Sequence, residues 1–199
     1  MRPPRMRVAL FGRSLAGFTL ANAMERAGHE VQMLSDPAEL ASFEALIIAV
    51  GDSRLEATVE LLEPHVHHGL IVFHTCLSRG VQVLDPLETR GCVVAALAPF
   101  ALMRWAVTTL DELGETVVEL NIAEFRAETV ALSDAERAPF AARAYYAEML
   151  RRLHISAAVD AHFLSPSEEP PLVGEDMDTE EIIAAYRGAT DPGLRRSYV

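Results

Sequence analysis

The stretch Arg7-Val8-Ala9-Leu10-Phe11-Gly12-Arg13-Ser14-Leu15-Ala16-Gly17 decides the fold. Residues 7–11 form a short apolar run of strand type, closed by a glycine. The residues after the turn follow helical spacing instead: Leu15, Phe18, Leu20, Ala21 and Met24 share one apolar face, and Gly28 is a natural stop. A helix is therefore predicted over 15–27. Strand, glycine turn and helix in this order make the layout in which a pyrophosphate sits on the exposed amides of a helix N-terminus. Gly12 holds the position that needs a tight turn, and Gly17 the one that lets helix and strand pack closely. The middle position, where a glycine allows close backbone approach, is Ser14, whose hydroxyl can donate to a phosphate oxygen. The residues expected at the phosphates are Gly12, Arg13, Ser14, Leu15, Ala16 and Gly17.

Working outward, a second strand over 30–34 is ended by Ser35-Asp36-Pro37. Asp36 lies near the spacing of about 20 residues at which an acidic group meets an adenosine ribose. A carboxylate there accepts from ribose hydroxyls and repels a 2′-phosphate, which gives NAD a slight preference over NADP. Arg13, or a shift that makes Ser35 the contact residue, reverses that preference.

The rest of the chain alternates in the same way. A short helix over 37–42 leads to a strand over 45–50, and Asp52-Ser53 supplies caps for a helix over 54–62. Strands are expected over 70–74 and 92–97, with a helix over 79–89 between them. Past Pro99 the reading is a strand over 105–109, a helix over 115–125 and a strand over 128–132. Ser133-Asp134-Ala135-Glu136 has the pattern of a capping box and opens a long helix toward Leu153, with Pro139 in its second turn. That helix carries Phe140, Ala144, Tyr145, Tyr146, Met149 and Leu150, an apolar face for the sheet or for a dimer interface. An acidic, proline-rich linker over 165–171 and a short helix over 179–187 follow.

The fold class read from this is α/β, a mostly parallel sheet flanked by helices with a short helical C-terminal extension. Residues 1–133 would be the dinucleotide-binding domain, 134–164 the extension, and 165–199 the linker and terminal helix.

Composition bounds the function. The chain has 199 residues and a formal charge of -12, with no basic excess to neutralise nucleic acid or an anionic membrane surface. No run reaches the length of a membrane span, and no signal peptide is evident. Two cysteines, Cys76 and Cys92, give no disulfide framework and point to a cytoplasmic setting. All 17 basic residues are Arg. The absence of Lys excludes Schiff-base chemistry, a lysine general acid and a P-loop lysine.

Two histidine groups are candidates for chemistry. His74-Thr75-Cys76 ends the fourth strand, on the side of an open parallel sheet where ligands bind, so His74 is a candidate general acid or base. Its alternative is a strand-end histidine bonded to backbone. His65, His67 and His68 crowd one loop, on the side opposite the nucleotide crevice and just before a strand. A zinc site usually takes ligands from a second segment, so the cluster reads as a solvated turn and no metal is expected. Asp111, Glu112, Glu115, Glu119 and Glu124 are read as structural carboxylates of one helix, the early ones complementing its dipole.

Several of these stretches together resemble the Rossmann-type domain of the phosphogluconate dehydrogenase-like superfamily, from Arg7 to about Leu153. Within it the chain is most similar to poorly characterised two-domain oxidoreductases with a helical C-terminal half. The resemblance rests on Gly12 to Gly17, Ala27-Gly28-His29-Glu30-Val31, Ala49-Val50-Gly51-Asp52, His74-Thr75-Cys76-Leu77 and Ala98-Pro99. The departures are Ser14 for the middle glycine, Gly51 for the loop proline, Cys76-Leu77 for Ser-Gly and Ala98 for a second histidine. The resemblance implies a NAD(P)-dependent oxidoreductase acting on a small molecule, with Val50, Gly51, Asp52, His74 and Thr75 on the nicotinamide side. It also implies a homodimer formed through the C-terminal helices. The departures keep a second reading open, a non-catalytic nucleotide-sensing or dimerising module that binds no cofactor for chemistry.

Overall fold

The computed structural model describes residues 5–160, with the backbone alone over 153–160. The linker over 165–171 and the helix over 179–187 lie outside the described residues.

Strand β3 (Ala45–Ala49) reads Ala-Leu-Ile-Ile-Ala, and every one of its residues is buried. A strand apolar on both faces needs a layer above and a layer below. It finds both near the middle of a seven-stranded sheet of order β2-β1-β3-β4-β5-β6-β7. The other strands are β1 (Arg7–Gly12), β2 (Glu30–Met33), β4 (Ile71–His74), β5 (Val93–Ala101), β6 (Arg104–Thr109) and β7 (Glu128–Ala131). All neighbours pair in parallel except β5 and β6, which are antiparallel.

Alternation along the strands divides the core in two. Val8, Leu10, Ile47, Phe73 and Leu97 meet α1 (Leu15–Ala27) and α4 (Glu112–Phe125) on one face. Ala9, Leu46, Ile48, Val72 and Val94 meet α2 (Asp52–Leu62) and α3 (Asp85–Thr89) on the other. Each large aliphatic or aromatic side chain so enclosed contributes about 1.5–3 kcal/mol. The long helix α5 (Asp134–Asp160) adds a smaller cluster, in which Ala141 and Phe140 pack with Leu77, Ala98 and Ala106. Packing on the sheet is thus one use of its apolar face. Among the described residues, no helix is long and apolar enough to cross a membrane.

Helix α1 has the predicted bounds, and its ends show why. Ser14 is its N-cap, and Gly28, at φ +102°, closes it by donating to the Met24 and Glu25 carbonyls. Residues 37–42 form the expected short helix, of 3₁₀ type and capped by Asp36.

Four readings change. The helix expected over 79–89 is instead a 3₁₀ turn over Val81–Leu84 followed by α3, because Pro86 has no N–H to continue a helix and restarts one. Helix α2 begins at Asp52 with Gly51 as N-cap, so Asp52 lies in the first turn and does not cap. Strand β5 does not stop at residue 97. It runs through Pro99 to Ala101, absorbs the proline in a register shift, and turns back through Leu102-Met103 into the antiparallel β6. Helix α4 starts at Glu112 rather than residue 115, because the Asp111 carboxylate takes the Gly114 amide at 2.7 Å. At the start of α5, Glu136 accepts both the amide and the hydroxyl of Ser133, and Pro139 is carried inside the helix.

Candidate functional site

The strand order reverses between β1 and β3, because β2 lies beyond β1 on one side and β4 beyond β3 on the other. A crevice at the carboxyl ends of the strands forms at such a point. The turn of residues 12–17 sits there. Gly12 has φ +103°, and a Cβ on it would run into the Ala49 carbonyl. A Cβ on Gly17 would run into the Ala49 side chain. Both glycines therefore let the turn and α1 lie against the last residue of β3. A side chain at either one tests the fold before it tests a ligand.

Ser14 is drawn into the same contact. Its amide donates to the Ala49 carbonyl at 2.9 Å, and its Oγ accepts from the Gly17 amide at 3.0 Å. That oxygen also lies 3.5 Å from Thr75 Oγ1. The hydroxyl expected at a phosphate oxygen is directed into the protein as a helix cap, and Ser14 is buried. Leu15 and Ala16 are half-buried and Arg13 is exposed. Ser35 and Asp36 are exposed beyond the end of β2, where one Asp36 oxygen takes the Ala38 amide at 2.9 Å.

The nicotinamide-side residues are enclosed. Val50, Asp52, His74 and Thr75 are buried and Gly51 is half-buried. The Asp52 carboxylate accepts from the Ser78 hydroxyl. His74 Nε2 lies 3.0 Å from the Gly80 carbonyl, which only accepts, so Nε2 carries the proton and Nδ1 is a bare acceptor. Nδ1 has no hydrogen-bond partner among the described residues. Burial is the main cause that pushes the His74 pKa down from 6.5 to about 3; the positive charges of Arg137 and Arg79 add to it, and the Gly80 bond opposes it. His74 is therefore neutral at physiological pH. In this setting it can accept a hydrogen bond but holds no proton to give as an acid.

Arg137 is a residue that sequence reasoning missed. Its guanidinium is completely buried, donating to Thr108 Oγ1 and to the Cys76 carbonyl, each at 3.0 Å. Burial lowers its pKa from 12.5 to about 10, against the attraction of Asp134, Cys76 and Asp52. A signal existed: Arg137 falls three and four residues before Phe140 and Ala141, on the stripe that packs on the sheet. Asp134, read from the sequence only as part of a capping-box pattern, takes the amides of Val81 and Gln82 at 2.8 and 2.9 Å and so fastens α5 to the segment after β4.

The other sequence candidates lie elsewhere. His67 Nε2 is 3.0 Å from the Phe43 carbonyl, in the loop before β4. Glu115 and Glu119 line a cavity of ≈ 470 Å³ between α4, β6 and β7, which contains none of the expected cofactor contacts. Glu124 pairs with His29 at 3.0 Å.

A family model described as a Rossmann-like domain matches residues 33–99. No curated protein matches the sequence. Among solved structures, pyrroline carboxylate reductase of Plasmodium falciparum, solved with NADP bound, is similar with a TM-score of 0.62 at 12% identity, over 99% of this chain and 88% of that one. Arogenate dehydrogenase of Synechocystis is similar with a TM-score of 0.59 at 15% identity, over 97% and 78% of the two chains. For 1-pyrroline-5-carboxylate reductase of Streptococcus pyogenes the TM-score is 0.57 at 10% identity, over 98% and 95%. At such identities the likeness is one of fold. With the switch point and the glycine turn, it defines the chain as a Rossmann-like α/β protein.

Proposed function

We propose that the protein binds a nicotinamide dinucleotide over the β1/β3 crevice and acts as an oxidoreductase on a small-molecule substrate. The observation that carries this reading is the segment of residues 12–17, seated on Ala49 where the strand order reverses and containing the N-cap Ser14 and the first residues of α1. The likeness in fold to a reductase solved with NADP bound supports it. The turn would hold the pyrophosphate. Asp36, with Ser35 beside it, would meet the adenosine ribose, with NAD favoured over NADP. Val50, Gly51, Asp52, His74 and Thr75 would border the nicotinamide. A bound dinucleotide supplies the hydride chemistry. In this reading His74 orients a group through its bare Nδ1 and delivers no proton.

Titration of the purified protein with NADH and NADPH, followed by nicotinamide fluorescence, tests the reading. A saturable enhancement is expected; a folded protein that gives none at millimolar cofactor overturns it.

One observation favours a second reading, a nucleotide-sensing module without chemistry. Ser14, Asp52, His74 and Thr75 are each at most 3% exposed, so the protein's own side chains close the strand ends. Saturable cofactor binding together with no turnover across a panel of carbonyl and imine substrates would select it.

A further inference from the structure

His74 and Thr108 stand in one row across the sheet. The register pairs His74 with Ala96 and Ala96 with Thr108. Two strand spacings put the ends of this row about 10 Å apart. The residue between them is alanine, so this face has a low point, and α5 lies over it with Arg137 donating to Thr108 and to the Cys76 carbonyl.

Both acceptors of this guanidinium are neutral. No carboxylate of the described residues lies at ion-pair distance from it. The nearby carboxylates are engaged elsewhere, Asp134 by two backbone amides and Asp52 by Ser78. Among the described residues, Arg137 Nε has no hydrogen-bond partner, and neither has His74 Nδ1. Arg137 and His74 are both 0% exposed, so neither reaches bulk solvent. A buried cation with no carboxylate in contact is unfavourable even though Asp134 and Asp52 attract it from nearby. A bare buried donor and a bare buried acceptor add to the cost. A single kind of ligand relieves all three deficits.

We propose that Arg137 and His74 form a binding site for a small oxyanion that retains a hydroxyl, its charged oxygen taken by Arg137 Nε and its O–H donated to His74 Nδ1. Hydrogen phosphate and a hydroxycarboxylate share this chemistry, whereas sulfate and a simple carboxylate lack the hydroxyl. Entry requires the segment of residues 80–82 to part from α5, and Asp134 holds those two together, so exchange is slow. The site shares His74 Nδ1 with the dinucleotide reading but does not rest on it, and it is tested without cofactor so that the two readings fail separately.

The experiment uses the full chain labelled with nitrogen-15 at constant ionic strength. The Arg137 Nε–H, shielded from solvent, is followed as inorganic phosphate, sulfate, glycolate or acetate is added, and is assigned by its loss in Arg137→Lys. The expected result is a saturable shift with phosphate or with glycolate, which says which source the site prefers. The hydroxyl-bearing member of that pair binds at least about tenfold tighter than sulfate or acetate, the discrimination expected of one buried hydrogen bond. Thermal stabilisation by the same ion follows the same order and is lost in Arg137→Gln. Absence of a saturable shift with any of the four ions overturns the proposal, and so does equal binding of phosphate and sulfate together with equal binding of glycolate and acetate. The wild-type titration keeps the test valid even if Arg137→Gln fails to fold.

Discussion

Ser14 Oγ and Thr75 Oγ1 lie 3.5 Å apart, which joins the turn after β1 to the end of β4 across the end of β3. The same Ser14 oxygen caps α1 through the Gly17 amide. Replacing Ser14 by Ala removes the cap and is expected to lower stability by about 1 kcal/mol, whereas Ser14→Gly costs a few tenths. Urea denaturation of the two variants measures the difference. Ser14→Gly also restores close backbone approach at the middle of the turn, so its affinity for NADH is expected to equal or exceed that of the wild type. A marked loss of affinity would mean that the serine itself contacts the cofactor.

What was legible in the sequence followed from short-range signals. Ser14 and Gly28 bracket α1, and Asp36-Pro37 starts the 3₁₀ helix, because caps and turn residues act within a few positions. The unbroken apolar run of β3 announced a strand covered on both faces. The antiparallel return of β6 was not legible, since it depends on Leu102-Met103 turning the chain, with Met103 at φ +56° and no glycine to mark it. Of the candidate site, the turn and His74 could be placed from their neighbours. The burial of His74 and the role of Arg137 could not, because Arg137 approaches from 61 residues beyond Cys76.

Asp36 gives a prediction on specificity that separates recognition from capping. One of its oxygens takes the Ala38 amide, and an asparagine caps as well as an aspartate. Asp36→Asn should therefore leave the melting temperature unchanged within error. Its negative charge is lost, so any preference for NADH over NADPH should narrow, mainly through tighter NADPH binding. Parallel fluorescence titrations with both cofactors check this; an unchanged ratio would place the ribose away from Asp36.

His74 predicts an acid-sensitive fold. Its pKa is 6.5 in the unfolded chain and about 3 in the folded one, so between these values the unfolded state binds the extra proton. Stability from this group is complete above pH 6.5 and falls as the pH drops, by about 1.4 kcal/mol per unit where the slope is full. Glu136 and Glu148, both held below their ordinary 4.5 by hydrogen bonds from Ser133 and Arg151, add their own loss only nearer that value. The window from about pH 5 to 6.5 thus reports His74. In His74→Gln, whose amide can still donate to the Gly80 carbonyl, denaturation curves across that window should lie nearly flat. A wild-type protein equally stable at both ends of it would mean that the imidazole is open to water.

His29 makes the last prediction, at the opposite end of the strands from the crevice. Its Nδ1 accepts the Met6 amide at 3.1 Å, so its Nε2 carries the proton and donates to Glu124 Oε2 at 3.0 Å. One imidazole thereby ties the start of β1 to α4. His29→Ala leaves the Met6 amide and the Glu124 carboxylate without this partner and is expected to cost about 1–3 kcal/mol. Glu124→Gln keeps an accepting oxygen and should cost much less. In a Glu124→Ala background the effect of His29→Ala should shrink, which a double-mutant cycle by chemical denaturation measures. NADH affinity of the folded variants should match the wild type, because neither side chain reaches the turn of residues 12–17; a parallel loss of affinity and stability would show that α4 also sets the geometry of the crevice.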